Sequence, residues 1–146
     1  EARAYSAWLS AQTGQAYRLP TEAEWEAAAR GLEGRSYAWF GEFDPVRCNV
    51  FETHVRGTTP IGVFPGGDTP EGLADMSGNV WDWTSTAYHS YPYAADAKRE
   101  DPDSAKSRRV VRGYRGGARC ASRVDSHPGH RGVGFGFRLV CVSPIR

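Results

Sequence analysis

An α+β domain rich in ordered loop is the architecture this sequence predicts, and three observations predict it. Two segments near the start, residues 2–12 and 21–30, carry helical spacing followed by stop signals. Two short runs, Val110-Val111 and Phe137-Arg138-Leu139-Val140-Cys141-Val142, combine β-branched and aromatic residues as strands do. The remainder is punctuated by 17 Gly and 9 Pro and carries 5 Trp, 7 Tyr and 6 Phe, which suits loops pinned by rings rather than a helical bundle.

In residues 2–12, Ala4, Tyr5, Trp8 and Leu9 fall at helical spacing, and Gly14 offers a C-terminal stop. Thr21 with Glu24 three residues on is a capping box. A second helix should therefore run to about Arg30 and end at Gly31, with Trp25, Ala28 and Ala29 as its apolar stripe. From Gly31 to Asp75 no period is sustained, and ordered loop with short strands is expected. So long a stretch needs an organiser other than backbone ladders, and a metal ion is one. Residues 86–108 are polar and read as a surface excursion, while 112–136 are Gly- and Arg-rich and too broken for regular structure.

At 146 residues the chain has the length of one domain, and 40% hydrophobic with 24% charged residues is a globular composition. No apolar run approaches the roughly 18 residues of a membrane helix, so membrane insertion is not expected. No charged-then-apolar leader precedes Glu1, so a signal peptide is absent, which favours the cytoplasm, or already removed, and the chain reads as cut from something longer. The net charge of +1 hides an asymmetry: residues 1–97 carry 13 acidic and 6 basic side chains, residues 98–146 carry 12 basic and 4 acidic. Either the two parts neutralise each other on folding, or the Arg-rich part is a nucleic-acid footprint. Cys48, Cys120 and Cys141 are odd in number and lack CxxC spacing, so neither a disulfide framework nor a zinc knuckle is expected. Buried free thiols are the expectation, with one disulfide and a spare thiol as the alternative.

Asp75 and Asp82 are hard oxygen ligands seven residues apart, and Gly78 between them can turn carbonyls inward. Calcium takes such oxygens, whereas the alternative is a pair of carboxylates capping amides or pairing with Arg. Trp25, Trp81 and Trp83 are core packing or an aromatic box for a cation. His127 and His130 lie on an exposed turn around Pro128-Gly129 or bind a metal, and Arg138 should be a buried Arg paired with a carboxylate. No catalytic triad order or phosphate loop is present.

Four segments in order, RLPTEAEWEAAARG (18–31), TTPIGVFP (58–65), GLADMSGNVWDWTS (72–85) and GFGFRLV (134–140), resemble the formylglycine-generating-enzyme-like (sulfatase-modifying factor) domain. The resemblance implies a C-type lectin-like fold: a small twisted antiparallel sheet, two helices and extensive ordered loops. It implies one domain over 1–146, lacking N-terminal strands that family members carry. It also implies a calcium ion held by the side chains of Asp75 and Asp82 and the carbonyls of Gly78 and Val80. A second calcium would lie at Asn49, the carbonyl of Val50, and Glu52. The family's oxidases hold copper on a cysteine pair between an RGGS-like turn and the final GFR. Here that stretch is shorter and holds only Cys120, so copper is not expected and oxidation of a substrate cysteine is the second reading.

The C-terminal part resembles another branch of the family, the variable proteins of diversity-generating retroelements. The pattern is RCASR, four residues, Pro, two residues, Arg, three residues, then a hydrophobic residue and GFR, from Arg119 to Arg138. In such proteins an error-prone reverse transcriptase randomises adenines in asparagine codons, a process that cannot yield Lys, Glu, Gln, Met or Trp. All nine intervening residues, Val124, Asp125, Ser126, His127, Gly129, His130, Gly132, Val133 and Gly134, obey that restriction. The first reading is thus a non-enzymatic binding module that displays these residues, with Tyr114, Arg115 and Gly116, to a protein or other macromolecule. Partner identity and oligomeric state stay open. Trp25, Trp81, Trp83, Phe137 and Leu139 are expected to be buried beneath this display, and residues 125–134 to be exposed.

Overall fold

A computed structural model describes residues 1–94, 99–100, 107–113 and 118–142. Helix α1 spans Ala2–Thr13, strand β1 Ala16–Arg18 and helix α2 Glu22–Arg30. Beyond a long loop come β2 (Trp81–Ala87), β3 (Arg109–Arg112), β4 (Arg123–Ser126), β5 (Phe135–Gly136) and β6 (Val140–Val142). Among the described residues no helix is long and apolar enough to cross a membrane.

α1 stops where Gly14 turns left-handed at φ 71°. The Ser10 hydroxyl then accepts the Tyr17 N–H at 2.8 Å and donates to the Ser6 carbonyl at 2.7 Å, which ties β1 back to α1. β1 pairs antiparallel with β6, Ala16 opposite Val142. α2 opens on the expected capping box: the Thr21 hydroxyl accepts the Glu24 N–H, and the Glu24 carboxylate accepts the Thr21 N–H. Trp25 and Ala29 are buried as the stripe requires.

The larger sheet runs in the order β4-β3-β2-β5, antiparallel except for the short parallel pairing of β2 with β5. β2 alternates: Asp82, Thr84 and Thr86 are buried, while Trp81, Trp83 and Ser85 are half-buried. The buried polar groups each have partners. Asp82 accepts the Trp25 indole N–H at 3.0 Å, Thr84 donates to the Val110 carbonyl at 2.8 Å, and Thr86 accepts the Glu22 N–H at 2.8 Å.

Three segments differ from expectation. Residues 31–75 contain no strand; they form 3₁₀ turns at Pro45–Arg47, Phe51–Thr53 and Pro65–Gly67. Side chains organise this loop: Tyr37, Ala38, Trp39, Cys48 and Val50 join Trp25, Ala29, Met76 and Cys120 in one core, with the Tyr37 and Trp39 rings stacked at 5.4 Å. Residues 112–136 hold β4 and β5 despite their composition. The ladder to fully buried β3 supplies the order, and Glu22 takes up the Arg123 charge at 2.6 Å. The run from Phe137 splits, because residues 137–139 leave the sheet before β6 and carry Arg138 to Asp82.

The charge asymmetry resolves within the fold. Arg112 pairs with Glu26 and lies 3.7 Å from Glu22, Arg123 pairs with Glu22, Arg131 with Glu1, and Arg138 with Asp82. Each of these pairs joins the basic part to the acidic part. All three cysteines are free thiols; Cys48 and Cys120 are buried and Cys141 is exposed.

Candidate functional site

Residues 127–134 form a turn pinned at both ends. On one side β4 is laddered to β3, with Ser126 opposite Arg109. On the other, the Gly134 carbonyl accepts the Trp81 N–H at 2.8 Å as β5 joins β2. Within the turn the His127 carbonyl accepts the His130 N–H at 2.8 Å, and His127 Nδ1 accepts the Gly129 N–H at 3.1 Å. The His130 ring lies 4.5 Å from that of Phe135. Each imidazole thus has a local structural partner, as the turn reading anticipates.

His127, Gly129, His130, Gly132 and Val133 are exposed, as is Val124, while Asp125 and Gly134 are half-buried. Ser126 departs from the expected display, being 5% exposed, because the pleat alternates and turns it inward from β4. Tyr114, Arg115 and Gly116 lie outside the described residues. Beneath the turn, only Trp25 of the five expected framework residues is fully buried. Trp81, Trp83 and Leu139 are half-buried and Phe137 is 40% exposed. Trp83 and Phe137 instead wall a cavity of about 600 Å³ that Pro128, His130 and Arg131 border. The aromatic box does not form, since Trp25 meets Asp82 on one face of β2 and Trp83 points from the other.

The Asp75–Asp82 turn is tightly built. Asp75, Gly78 and Asn79 all have positive φ. A Cβ on Gly78 would lie 2.8 Å from the Asn49 carbonyl oxygen, so only glycine fits. Asn79 donates to Asp75 Oδ2 at 3.0 Å and accepts the Thr59 N–H at 3.0 Å. Burial pushes the Asp75 carboxyl up, and the nearby Asp68 and Asp82 add to this against its Asn79 and Arg138 neighbours. Arg138 Nε lies 2.6 Å from Asp82 Oδ2, and its Nη2 donates to the carbonyls of Ala74 and Asp75 at 3.3 Å. The guanidinium therefore brings positive charge to the two carboxylates named as calcium ligands. Among the described residues no group of three or more His, Cys, Asp or Glu is arranged to hold a metal.

Around Asn49 the chemistry differs. Asn49 is 1% exposed; its amide donates to the Gly57 carbonyl at 2.8 Å, and its Oδ1 is buried without a hydrogen-bond partner. The Val50 carbonyl accepts the Thr53 hydroxyl at 2.7 Å, and Glu52 is exposed. A buried oxygen lacking a donor is suited to a cation.

The three thiols differ in burial. Burial pushes Cys48 up to about 12, with Glu52, Asp44 and Asp75 adding to it, and burial also raises Cys120. The Cys120 sulfur sits 3.7 Å from the Ser77 hydroxyl.

The model of the sulfatase-modifying factor enzyme 1-like domain matches residues 1–142. The chain belongs to this family. The domain is 35% identical to the "Inactive C-alpha-formylglycine-generating enzyme 2" of Bos taurus over 94% of this chain and 46% of that protein. It is 37% identical to the "Formylglycine-generating enzyme" of Streptomyces coelicolor, over 90% of this chain and 48% of that one. Among solved structures it resembles "Treponema denticola variable protein 1", with a TM-score of 0.67 and 30% identity over 87% of this chain and 48% of that one. The chain spans about half the length of the curated relatives it matches. Its relatives thus include one named as an enzyme and one named as inactive.

The residues missed in the sequence are Trp83, Phe135 and Phe137 as cavity walls. Alternation over 81–87 places Trp83 on one face of β2 but marks that face as core, so no local signal identified these residues as cavity walls.

Proposed function

We propose that this chain is a non-enzymatic binding module of the retroelement-diversified kind, presenting the 127–133 turn to a protein or other macromolecular partner. The observation that carries the reading is the pairing of an exposed Gly- and His-rich turn with rigid anchorage at β4 and β5. Such a turn can change sequence without disturbing the core, which lies under α2 and the 37–50 loop. A likeness to a solved variable protein supports it, as does a relative named inactive. The coding locus tests it. A neighbouring reverse transcriptase gene and a near-copy of the codons for 112–138, differing only at adenines, are expected; absence of the near-copy overturns diversification.

Oxidation of a cysteine in a protein substrate is the second reading, favoured by the relative named "Formylglycine-generating enzyme". One raised, buried thiol at Cys120 does not fit a two-sulfur copper site. Aerobic incubation of copper-treated protein with a cysteine peptide, read by mass spectrometry, decides it: turnover lost in Cys120→Ser establishes the oxidase.

A structural calcium ion belongs to the same proposal. Of the two places, the Asn49 loop fits better, because Asn49 Oδ1 has no donor. At Asp75, Gly78, Val80 and Asp82 an ion competes with Arg138. Calcium at either place would brace loops and supply no reaction. Calorimetric titration of chelator-treated protein, with Asn49→Ala as control, should show calcium binding that the variant loses.

A further inference from the structure

We propose that the cavity between β2 and the 128–132 turn is a binding site for a planar aryl carboxylate. The proposal deepens the binding-module reading and rests on it for the role of this face. At about 600 Å³ the cavity has the size of a small-molecule site.

Its walls are ring faces. Trp83 and Phe135 lie 5.6 Å apart between centroids and are tilted by 34°, a wedge rather than a closed stack. Phe137 lines the same space and leans edge-on against Tyr5 at 5.6 Å, so it is held in place while 40% exposed. Offset stacking on such faces favours a planar aromatic group.

The charge of the lining decides what that group carries. Arg109 lines the cavity at only 9% exposure, and its Nη1 donates to the Ser85 carbonyl at 2.8 Å, which fixes the guanidinium. Arg131 borders the opening and pairs with Glu1 at 2.8 Å, with both side chains more than three-quarters exposed. An ion pair that open is worth little, so Arg131 can exchange it for a ligand carboxylate at small cost. Glu100 also borders the cavity and keeps its negative charge there, held in place by the hydroxyls of Ser85 and Thr86 at 3.0 and 2.6 Å. Aromatic walls alone would equally suit a cation. Three guanidiniums line it, Arg3, Arg109 and Arg131, against the carboxylates of Glu1 and Glu100; this positive balance turns the preference to an anion, and a guanidinium fork matches a carboxylate.

Isothermal calorimetry on the full chain tests this with three probes of one shape: indole-3-acetate, neutral indole-3-acetamide and cationic tryptamine. Indole-3-acetate should bind saturably, with the acetamide about tenfold weaker and tryptamine weaker still. Arg131→Gln, at an exposed position, should keep the melting temperature and cut indole-3-acetate affinity about tenfold while leaving the acetamide unchanged. Absence of saturable indole-3-acetate binding at millimolar concentration overturns the proposal, as does tryptamine binding as tightly or tighter. An unchanged affinity in Arg131→Gln overturns the role of that residue and the charge argument with it. A locus without a near-copy, together with saturable indole-3-acetate binding, removes diversification and leaves the cavity site standing; the reverse pair removes the cavity site alone.

Discussion

Arg138 closes on Asp82 at 2.6 Å, from a residue that has left the sheet to a carboxylate at the start of β2. The same Asp82 oxygen accepts the Trp25 indole N–H at 3.0 Å. One carboxylate thus fastens α2, β2 and the C-terminal segment together. Removing either charged partner leaves a poorly solvated charge, and such losses cost about 3 kcal/mol. Arg138→Gln and Asp82→Asn should each lower stability by about that amount, and the double variant by clearly less than the sum. Urea unfolding of the three variants checks the coupling; additive losses would show that the pair does not act as a unit.

Acid should weaken the start of α2. The Arg18 guanidinium beside Glu24, with further hydrogen bonds from Thr21, holds this carboxyl down at about 2, against burial that acts upward. A carboxyl depressed in the folded state contributes stability above its unfolded value near 4.5, and the contribution fades as pH falls from there toward about 2. Glu22 follows with the same sign: burial acts upward, but Arg123 and Tyr93 prevail and lower it. Melting temperature should therefore drop between pH 4.5 and pH 2, and Glu24→Gln should flatten part of that slope. The effect of Glu24 is modest because the ion pair is about 40% exposed and solvent screens it.

The thiols should divide by burial. Cys48 and Cys120 are buried and both pushed up, whereas Cys141 is exposed beside Gln15. In native protein at pH 8 a thiol-reactive dye should label one equivalent quickly, at Cys141, and all three only in denaturant. Fast labelling of two or three native equivalents would contradict the packing of Cys48 and Cys120 in the core.

Some of this structure was plain in the residue pattern. Thr21, Glu24 and Gly31 announce α2 because capping is a local matter of a few hydrogen bonds. Arg138 was legible as a paired Arg because a guanidinium between apolar neighbours demands a carboxylate. β2 was not legible. Its buried face is Asp82, Thr84 and Thr86, each satisfied by a partner distant in sequence, so hydrophobic alternation points the wrong way. β4 was hidden for a related reason: Arg123 is acceptable there because Glu22, 101 residues earlier, and the rings of Tyr88 and Tyr91 are beside it. The turn at 127–133 was legible as exposed, whereas the cavity beneath it depends on Phe135 within β5 and on Phe137 where the chain leaves the sheet.

The last prediction separates framework from display. Trp25 is 1% exposed, packs in the main core, carries Arg112 over its ring at 5.4 Å and hydrogen-bonds Asp82. Trp25→Ala should cost about 3–5 kcal/mol through the cavity left behind. Trp81→Ala should cost less than Trp25→Ala, since Trp81 is only half-buried. His127→Ala and Val133→Ala, at exposed positions of the turn, should stay within about 0.5 kcal/mol. Ser126→Ala is the intermediate case, because Ser126 is buried and opposite Arg109 rather than on the display. It should cost more than the turn substitutions and less than Trp25→Ala, because the position is buried but the side chain is small. Unfolding midpoints for the five variants order these positions. The binding reading requires that the two turn substitutions alter affinity for a selected partner while leaving the midpoint in place. If His127→Ala unfolds the protein as readily as Trp25→Ala, the turn is framework, and the division between a rigid sheet and a changeable surface fails.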